Sequence, residues 1–219
     1  MKVINLEATN SVVNTFMQQL RSVDYQANRT LFRNNLVRIG RVMAYEVSHT
    51  LAYSEKNVQT PLGVKQMNTY DDRIVVGTVL RAGLAFHQGF LEVFDGADSG
   101  FVAAYREEGS KDHMKIHLDY LAAPSLEGAT FLLVDPMLAT GGSLELAYRT
   151  FLRTGTPKRL HICVVIASED GIAKLQKDFP GDDVTLWTAA IDPMLNDAAY
   201  IVPGMGDAGD LSFGTKMSL

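Results

Sequence analysis

The chain has 219 residues, 47% of them hydrophobic and 21% charged, with a formal net charge of −5 and one cysteine. That composition supports a packed core and excludes global disorder, an internal disulfide framework and a four-cysteine zinc site. The negative balance argues against a broad basic surface for nucleic acid, although it leaves room for a local anion site. No apolar run reaches the roughly 18 residues of a membrane span, and the first ten residues lack the apolar core of a signal peptide. The expectation is a cytoplasmic protein that engages neither membrane nor nucleic acid.

In chain order, the first stretch reads as helical. Ser11 can cap a helix carrying Val12, Val13, Phe16, Met17 and Leu20 near the 3.6-residue period. Asp24 can cap a second helix, whose stripe of Leu31, Leu36, Ile39, Val42, Met43 and Val47 is expected to run to about Ala52. Thr60-Pro61-Leu62-Gly63 breaks the pattern. Residues 1–60 are therefore expected to form an N-terminal helical region of one domain spanning 1–219.

From residue 74, strand and helix patterns alternate. Strands are predicted near 74–80, 101–105, 130–134, 160–167 and 184–190, with helices near 83–94, 143–153 and 169–179. This order predicts an α/β fold: a central parallel sheet flanked by helices, with its binding site beyond the carboxyl ends of the strands. Residues 106–121 depart from it. His113, Lys115, His117 and Asp119 alternate with Met114, Ile116, Leu118 and Tyr120, which predicts an exposed β-hairpin arm. In such a strand His113 and His117 stand about 13 Å apart, so a solvated face is expected rather than a metal pair. The stretch 192–219 mixes Gly, Asp and Pro with apolar residues and is expected as a folded loop over the sheet edge.

The segment Leu132-Leu133-Val134-Asp135-Pro136-Met137-Leu138-Ala139-Thr140-Gly141-Gly142-Ser143 carries the strongest chemistry. An apolar strand delivers a carboxylate at its end, and Thr-Gly-Gly-Ser then opens a helix. Gly141 and Gly142 permit close backbone approach, and N–H groups at a helix start suit a phosphate. Asp135 suits neighbouring sugar hydroxyls. Together these features fit a sugar phosphate. The lysine of a Walker A loop is missing, and the spacing is not the Gly-x-Gly-x-x-Gly of dinucleotide sites.

This string resembles the phosphoribosyl diphosphate (PRPP) loop of the uracil phosphoribosyltransferases, a branch of the type I phosphoribosyltransferase fold. Three further segments share the resemblance: Val79-Leu80-Arg81-Ala82-Gly83-Leu84, Tyr105-Arg106-Glu107-Glu108, and the run from Tyr200 to Asp210 with Phe213-Gly214-Thr215-Lys216. The resemblance implies transfer of phosphoribose from PRPP to uracil, giving uridine monophosphate (UMP) and pyrophosphate in pyrimidine salvage. It implies Arg81, Asp135 and Asp207 as the catalytic residues. PRPP would be held by Arg81, Arg106, Asp135, Pro136, Met137, Leu138, Ala139, Thr140, Gly141, Gly142, Ser143 and Asp207. Uracil would lie against Ile201, Gly206, Asp207 and Ala208. Magnesium would arrive on PRPP, with no metal site of the protein's own.

A homodimer or higher homo-oligomer is the assembly the resemblance implies. Some family members respond to guanosine triphosphate, and a GTP effector stays open here. The stretch after Glu108 departs from the family's usual sequence, which leaves lid contacts open. A regulatory RNA-binding protein on the same fold would call for a basic face, against which the net charge weighs. Cys163 and Trp187 are expected in the core, and His49, His87 and His161 as structural histidines.

Overall fold

The computed structural model describes residues 1–106, 116–181 and 183–216, and for 104–106 and 116–119 the main chain alone. In chain order the elements are β1 (Lys2–Asn5), α1 (Val12–Arg21), α2 (Val23–Gln26), α3 (Arg29–Ser48), β2 (Tyr53–Thr60), β3 (Gly63–Tyr70), β4 (Ile74–Leu80), α4 (Leu84–Leu91), β5 (Asp98–Arg106) and β6 (Ile116–Ala122). They continue with β7 (Thr130–Leu138), α5 (Gly142–Phe151), β8 (Arg159–Ser168), α6 (Glu169–Asp178), β9 (Val184–Asp192), β10 (Met194–Leu195), β11 (Ile201–Val202) and α7 (Ala208–Phe213).

Seven strands form one sheet in the order β1-β9-β8-β7-β4-β5-β6. All neighbours run parallel except β6, which is antiparallel to β5. The central strands are apolar throughout because both faces are covered. In β7, Leu132 and Val134 point into one core with Phe32, Leu36, Ile39 and Met43 of α3 and Phe86 and Phe90 of α4. Phe131 and Leu133 point into the opposite core with Leu144 and Phe151 of α5 and Leu175 of α6. Each fully buried Leu, Ile or Phe in these layers contributes about 1.5–3 kcal/mol by leaving water.

The α/β architecture with its parallel sheet is the one the sequence predicts. Two details of the helical region expected over residues 1–60 are corrected. Lys2–Asn5 is a strand that pairs with Thr185–Thr188 of β9, and Tyr53–Thr60 is the first arm of a hairpin with β3. The helical stripe stops at Ser48, and the next residues rebuild a polar, exposed ribbon whose turn is the Thr60–Gly63 break. Ser11 caps α1 as expected, in a reciprocal capping box with Asn14. The cap of α3 is Asn28 rather than Asp24, which lies inside α2. Of the expected arm, Ile116–Ala122 is strand β6, while residues 107–115, His113 included, lie outside the described residues. The C-terminal stretch is folded, but it packs on α3 rather than over the sheet edge: Ile201, Met205 and Ala208 share the core of Phe32 and Leu36. Among the described residues, no helix is long and apolar enough to cross a membrane.

Candidate active site

Three connections meet at the carboxyl end of the central strands. The hydroxyl of Thr78 in β4 donates to the Val134 carbonyl of β7 at 2.8 Å, a buried bond that locks the two strands. Their register ends on the pair Thr78 and Val134. Arg81 follows directly on β4, whereas Asp135, expected at a strand end, stays inside β7, paired with Val164 of β8, and the strand runs on to Leu138. The Leu80–Arg81 peptide is cis. The Arg81 guanidinium donates to Asp210 Oδ1 at 3.1 Å and to the Gly214 carbonyl at 3.2 Å. This ties the β4 turn to the segment around α7.

Asp135 is 9% exposed, and its Oδ1 accepts the Met137 N–H at 2.9 Å. That bond turns the carboxylate along the connection that leads to α5. Pro136 is buried and lacks an N–H, and the Leu138 side chain belongs to the core. What Pro136 and Leu138 offer a ligand is therefore main chain. Thr140 is exposed and Ser143 half-buried. Gly141 precedes α5 at φ +80°, a left-handed conformation that favours glycine. The first helical bond of α5 is Glu145 N–H to the Gly141 carbonyl, which leaves the N–H groups of the first turn without helical acceptors.

The loop has a buttress. Ser168 Oγ donates to the Ala139 carbonyl at 2.7 Å and accepts the Gly171 N–H at 2.9 Å. A Cβ on Gly171 would stand 2.2 Å from the Ala139 oxygen, so α6 begins in direct contact with the loop.

Across the cleft, Asp207 caps α7 by accepting the Asp210 N–H at 2.9 Å. Ile201 is 4% exposed and its side chain is in the core, so it too can meet a ligand only through its main chain. A cavity of about 540 Å³ opens beside this segment, between Gln26 and Arg29 on one wall and Gly206, Asp207 and Asp210 on the other. It touches none of residues 135–143.

A family model described as uracil phosphoribosyltransferase matches residues 8–215. The chain belongs to the uracil phosphoribosyltransferase family. It is 44% identical over 217 residues to the uracil phosphoribosyltransferase of Porphyromonas gingivalis, covering 99% of this chain and 100% of that one. The enzyme of that name from Sulfolobus acidocaldarius is 36% identical over 208 residues, covering 91% of this chain and 94% of its own. Among solved structures, the AQ2163 protein of Aquifex aeolicus matches with a TM-score of 0.87 at 30% identity, covering 99% of this chain and 100% of that chain.

As a uracil phosphoribosyltransferase the chain is a pentosyl-transferring enzyme. The fold brings Arg81, Asp135, the 139–143 loop and Asp207 to one end of the sheet. Arg106 ends β5, the strand next to β4, and its side chain lies outside the described residues. Sequence reasoning missed Ser168 and Gly171 behind the phosphate-type loop, Asp210 on Arg81, and Arg21, Gln26, Arg33 and Asp192 around the C-terminal segment. Ser168 and Gly171 carried a legible signal, a serine cap followed three residues later by glycine. The others bond partners more than 120 residues away, and no local pattern marks them.

Proposed function

We propose that this end of the sheet binds PRPP and uracil and joins N1 of uracil to C1 of the ribose, releasing pyrophosphate and forming UMP. The observation that carries the reading is the placement of Arg81, just past β4, and Asp135, next to Val134 in the paired strand β7, toward the carboxyl end of the sheet, with the Gly141 helix start following β7. In this reading the 5′-phosphate lies on the N–H groups of the α5 first turn, with the Thr140 and Ser143 hydroxyls beside it. Asp135 accepts the ribose hydroxyls. Arg81 and Arg106 hold the diphosphate, because a planar guanidinium meets two phosphate oxygens at once. Uracil presents two carbonyls and the N–H between them. The main chain of Ile201 and of Gly206, Asp207 and Ala208 supplies donors and an acceptor in that order, and Asp207 also approaches PRPP.

As the bond to pyrophosphate breaks, negative charge grows on the leaving group and positive charge on the ribose ring. Arginines fixed near the first and the Asp135 carboxylate near the second favour that separation, and no protein nucleophile is needed. Pro136 leaves Asp135 as the one acid of this part of β7, so the ribose relies on Asp135 and main-chain groups. Magnesium would come with PRPP as part of the substrate and would offset the negative charge of the diphosphate. An ion that keeps several waters and takes one or two carboxylates fits the Asp135 carboxylate of β7.

The decisive test is incubation with PRPP, Mg²⁺ and, separately, uracil, cytosine, hypoxanthine and orotate. UMP from uracil, with no nucleotide from the other bases, is the expected outcome; no UMP from uracil overturns the reading. A homodimer or higher homo-oligomer is our reading of the assembly. The β2–β3 ribbon supports it, because two isolated strands exposed on both faces are marginal without a partner. Light scattering on the eluted protein checks it, and a monomer mass rules it out.

A further inference from the structure

The segment proposed to read uracil has little regular structure of its own; β10 and β11 pair over only two residues each. Its rigidity comes from the N-terminal helices. Two side chains there donate to main-chain carbonyls of the segment, Arg21 to Gly204 at 3.0 Å and Gln26 to Met205 at 2.8 Å, and a third, Arg33, donates to Ser212 of α7 just after it at 2.6 Å.

Arg21 is the most deeply engaged. Its Nη1 and Nη2 hold the two Asp192 oxygens at 2.8 and 2.7 Å. Asp192, at the end of β9 and 4% exposed, also accepts the Gly204 N–H at 2.7 Å. One ion pair thus fixes both polar main-chain groups of Gly204. Gly204 has φ +64°, and a Cβ there would stand 2.1 Å from the Ile201 carbonyl. Burial pushes the Asp192 carboxyl up, but the Arg21 hydrogen bond, the Gly204 N–H and the Arg21 charge together hold it below its ordinary value.

We propose that the Arg21–Asp192 pair is the positioning element that sets the base-reading segment and thereby the enzyme's choice of base. Gly204 lies between Ile201 and Gly206, so its placement fixes the direction in which the Gly206–Ala208 main chain faces. Main-chain groups discriminate between a carbonyl and an amino group only when they are held rigidly, since a mismatch is costly only if the partner cannot turn away. A bidentate arginine–carboxylate pair supplies that rigidity, and lysine, a point charge without the fork, does not. The Gly141–Ser143 loop makes none of these contacts, and among the described residues Arg81 meets the C-terminal segment only at Asp210 and Gly214, beyond Gly204, so the pair should act on the base more than on PRPP.

The proposal rests on the base-reading role of residues 201–208, and its test separates the two. In the unaltered protein, uracil added together with pyrophosphate should slow hydrogen exchange in the peptide covering 201–208; no protection refutes the base-reading role itself. In Arg21→Lys and Asp192→Asn, the KM for uracil should rise about tenfold while the KM for PRPP stays within about twofold, and the preference for uracil over cytosine should fall. Arg21→Met should exceed Arg21→Lys in each respect, because lysine preserves the charge. If loop protection is seen but the lysine variant merely melts earlier, with both KM values and the base preference unchanged, the pair is structural only and the proposal fails. A parallel rise in both KM values also overturns it.

Discussion

Arg81 and Asp210 stand 129 residues apart in sequence and 3.1 Å apart in space. The pair joins the arginine proposed for the diphosphate to the helix that follows the base-reading segment. Both side chains are partly exposed, at 41% and 33%, so their mutual attraction is modest and a diphosphate can compete for the guanidinium. Arg81→Ala is expected to lower kcat/KM for PRPP by about 10–100-fold, the usual range for loss of one charged hydrogen-bonding group. Steady-state kinetics with PRPP varied checks this, and an unchanged PRPP dependence removes Arg81 from the diphosphate.

Asp135→Asn tests the ribose end with little change in shape. The amide oxygen can still accept the Met137 N–H that now goes to the carboxylate, so the connection should keep its course. In the proposed reaction the negative charge beside the developing cation is then lost. A fall in kcat of about 10–100-fold with an unchanged melting temperature is expected. A kcat equal to that of the unaltered enzyme would show that the carboxylate has no part in the chemistry.

Gly171→Ala should damage the loop proposed to hold PRPP from behind. Its Cβ would press on the Ala139 oxygen, and the main chain of α6 or of the loop must shift. Overpacking of this kind costs about 1–3 kcal/mol. The expected result is a lower urea midpoint together with a higher KM for PRPP, and little change in the KM for uracil. Ser168→Ala should raise the same KM through loss of the bond to Ala139. If neither variant alters PRPP binding, the buttress does not govern the loop.

Two buried histidines should make the fold sensitive to mild acid. Burial pushes His87 and His161 down to about 4 from an ordinary 6.5, and the nearby Arg159 charge adds to the effect at His161. Trp187 donates its indole N–H to His161 Nδ1 at 3.1 Å, which requires that nitrogen to be unprotonated. The unfolded chain takes up these protons near 6.5, while the folded protein waits until about 4. Between those values the unfolded state binds more protons, so stability is full above 6.5 and falls as pH drops toward 4. The loss amounts to at most about 3 kcal/mol for each histidine. Urea midpoints at about pH 7 and about pH 5 measure it. His161→Gln keeps an acceptor for Trp187 and should flatten the slope; equal midpoints for the unaltered protein would contradict the assignment.

Cys163 lies in β8 with no exposed surface, and burial raises its thiol above the ordinary value. It should resist thiol reagents while the protein is folded and react only as fast as the protein opens. Rapid labelling in native buffer would show that β8 is less protected than its position between β7 and β9 requires.

The sheet was legible because its strands are unbroken apolar runs separated by helices with a 3.6-residue stripe. In the site, the Asp135–Ser143 segment was legible for a related reason: strand end, turn and helix start are adjacent in the chain. The β2–β3 ribbon was not. Its strands face water on both sides, so Tyr53–Thr60 and Gly63–Tyr70 carry no alternation of apolar and polar residues. β1 was also hidden, because four residues beside a sheet edge are too few to show a period. Arg21 reads as an ordinary charged residue at the end of a helix, and only the fold places it on Asp192 and Gly204. The supports of the base-reading segment come from a distant stretch of the chain, and their pattern exists only in three dimensions.

The pairing of β1 with β9 also orders events during synthesis. Lys2 is the partner of Thr185 and Asn5 of Thr188, so the strand made first has no ladder to join until β9 has emerged from the ribosome. Helices α1 and α3 wait longer, for the carbonyls of Gly204 and Ser212 that Arg21 and Arg33 hold. Until then the apolar stripe of α3 lacks some of its cover, and exposed apolar surface of this kind favours aggregation. Nascent chains halted before Val184 should be cut readily by protease within residues 1–48, and chains released at full length should not.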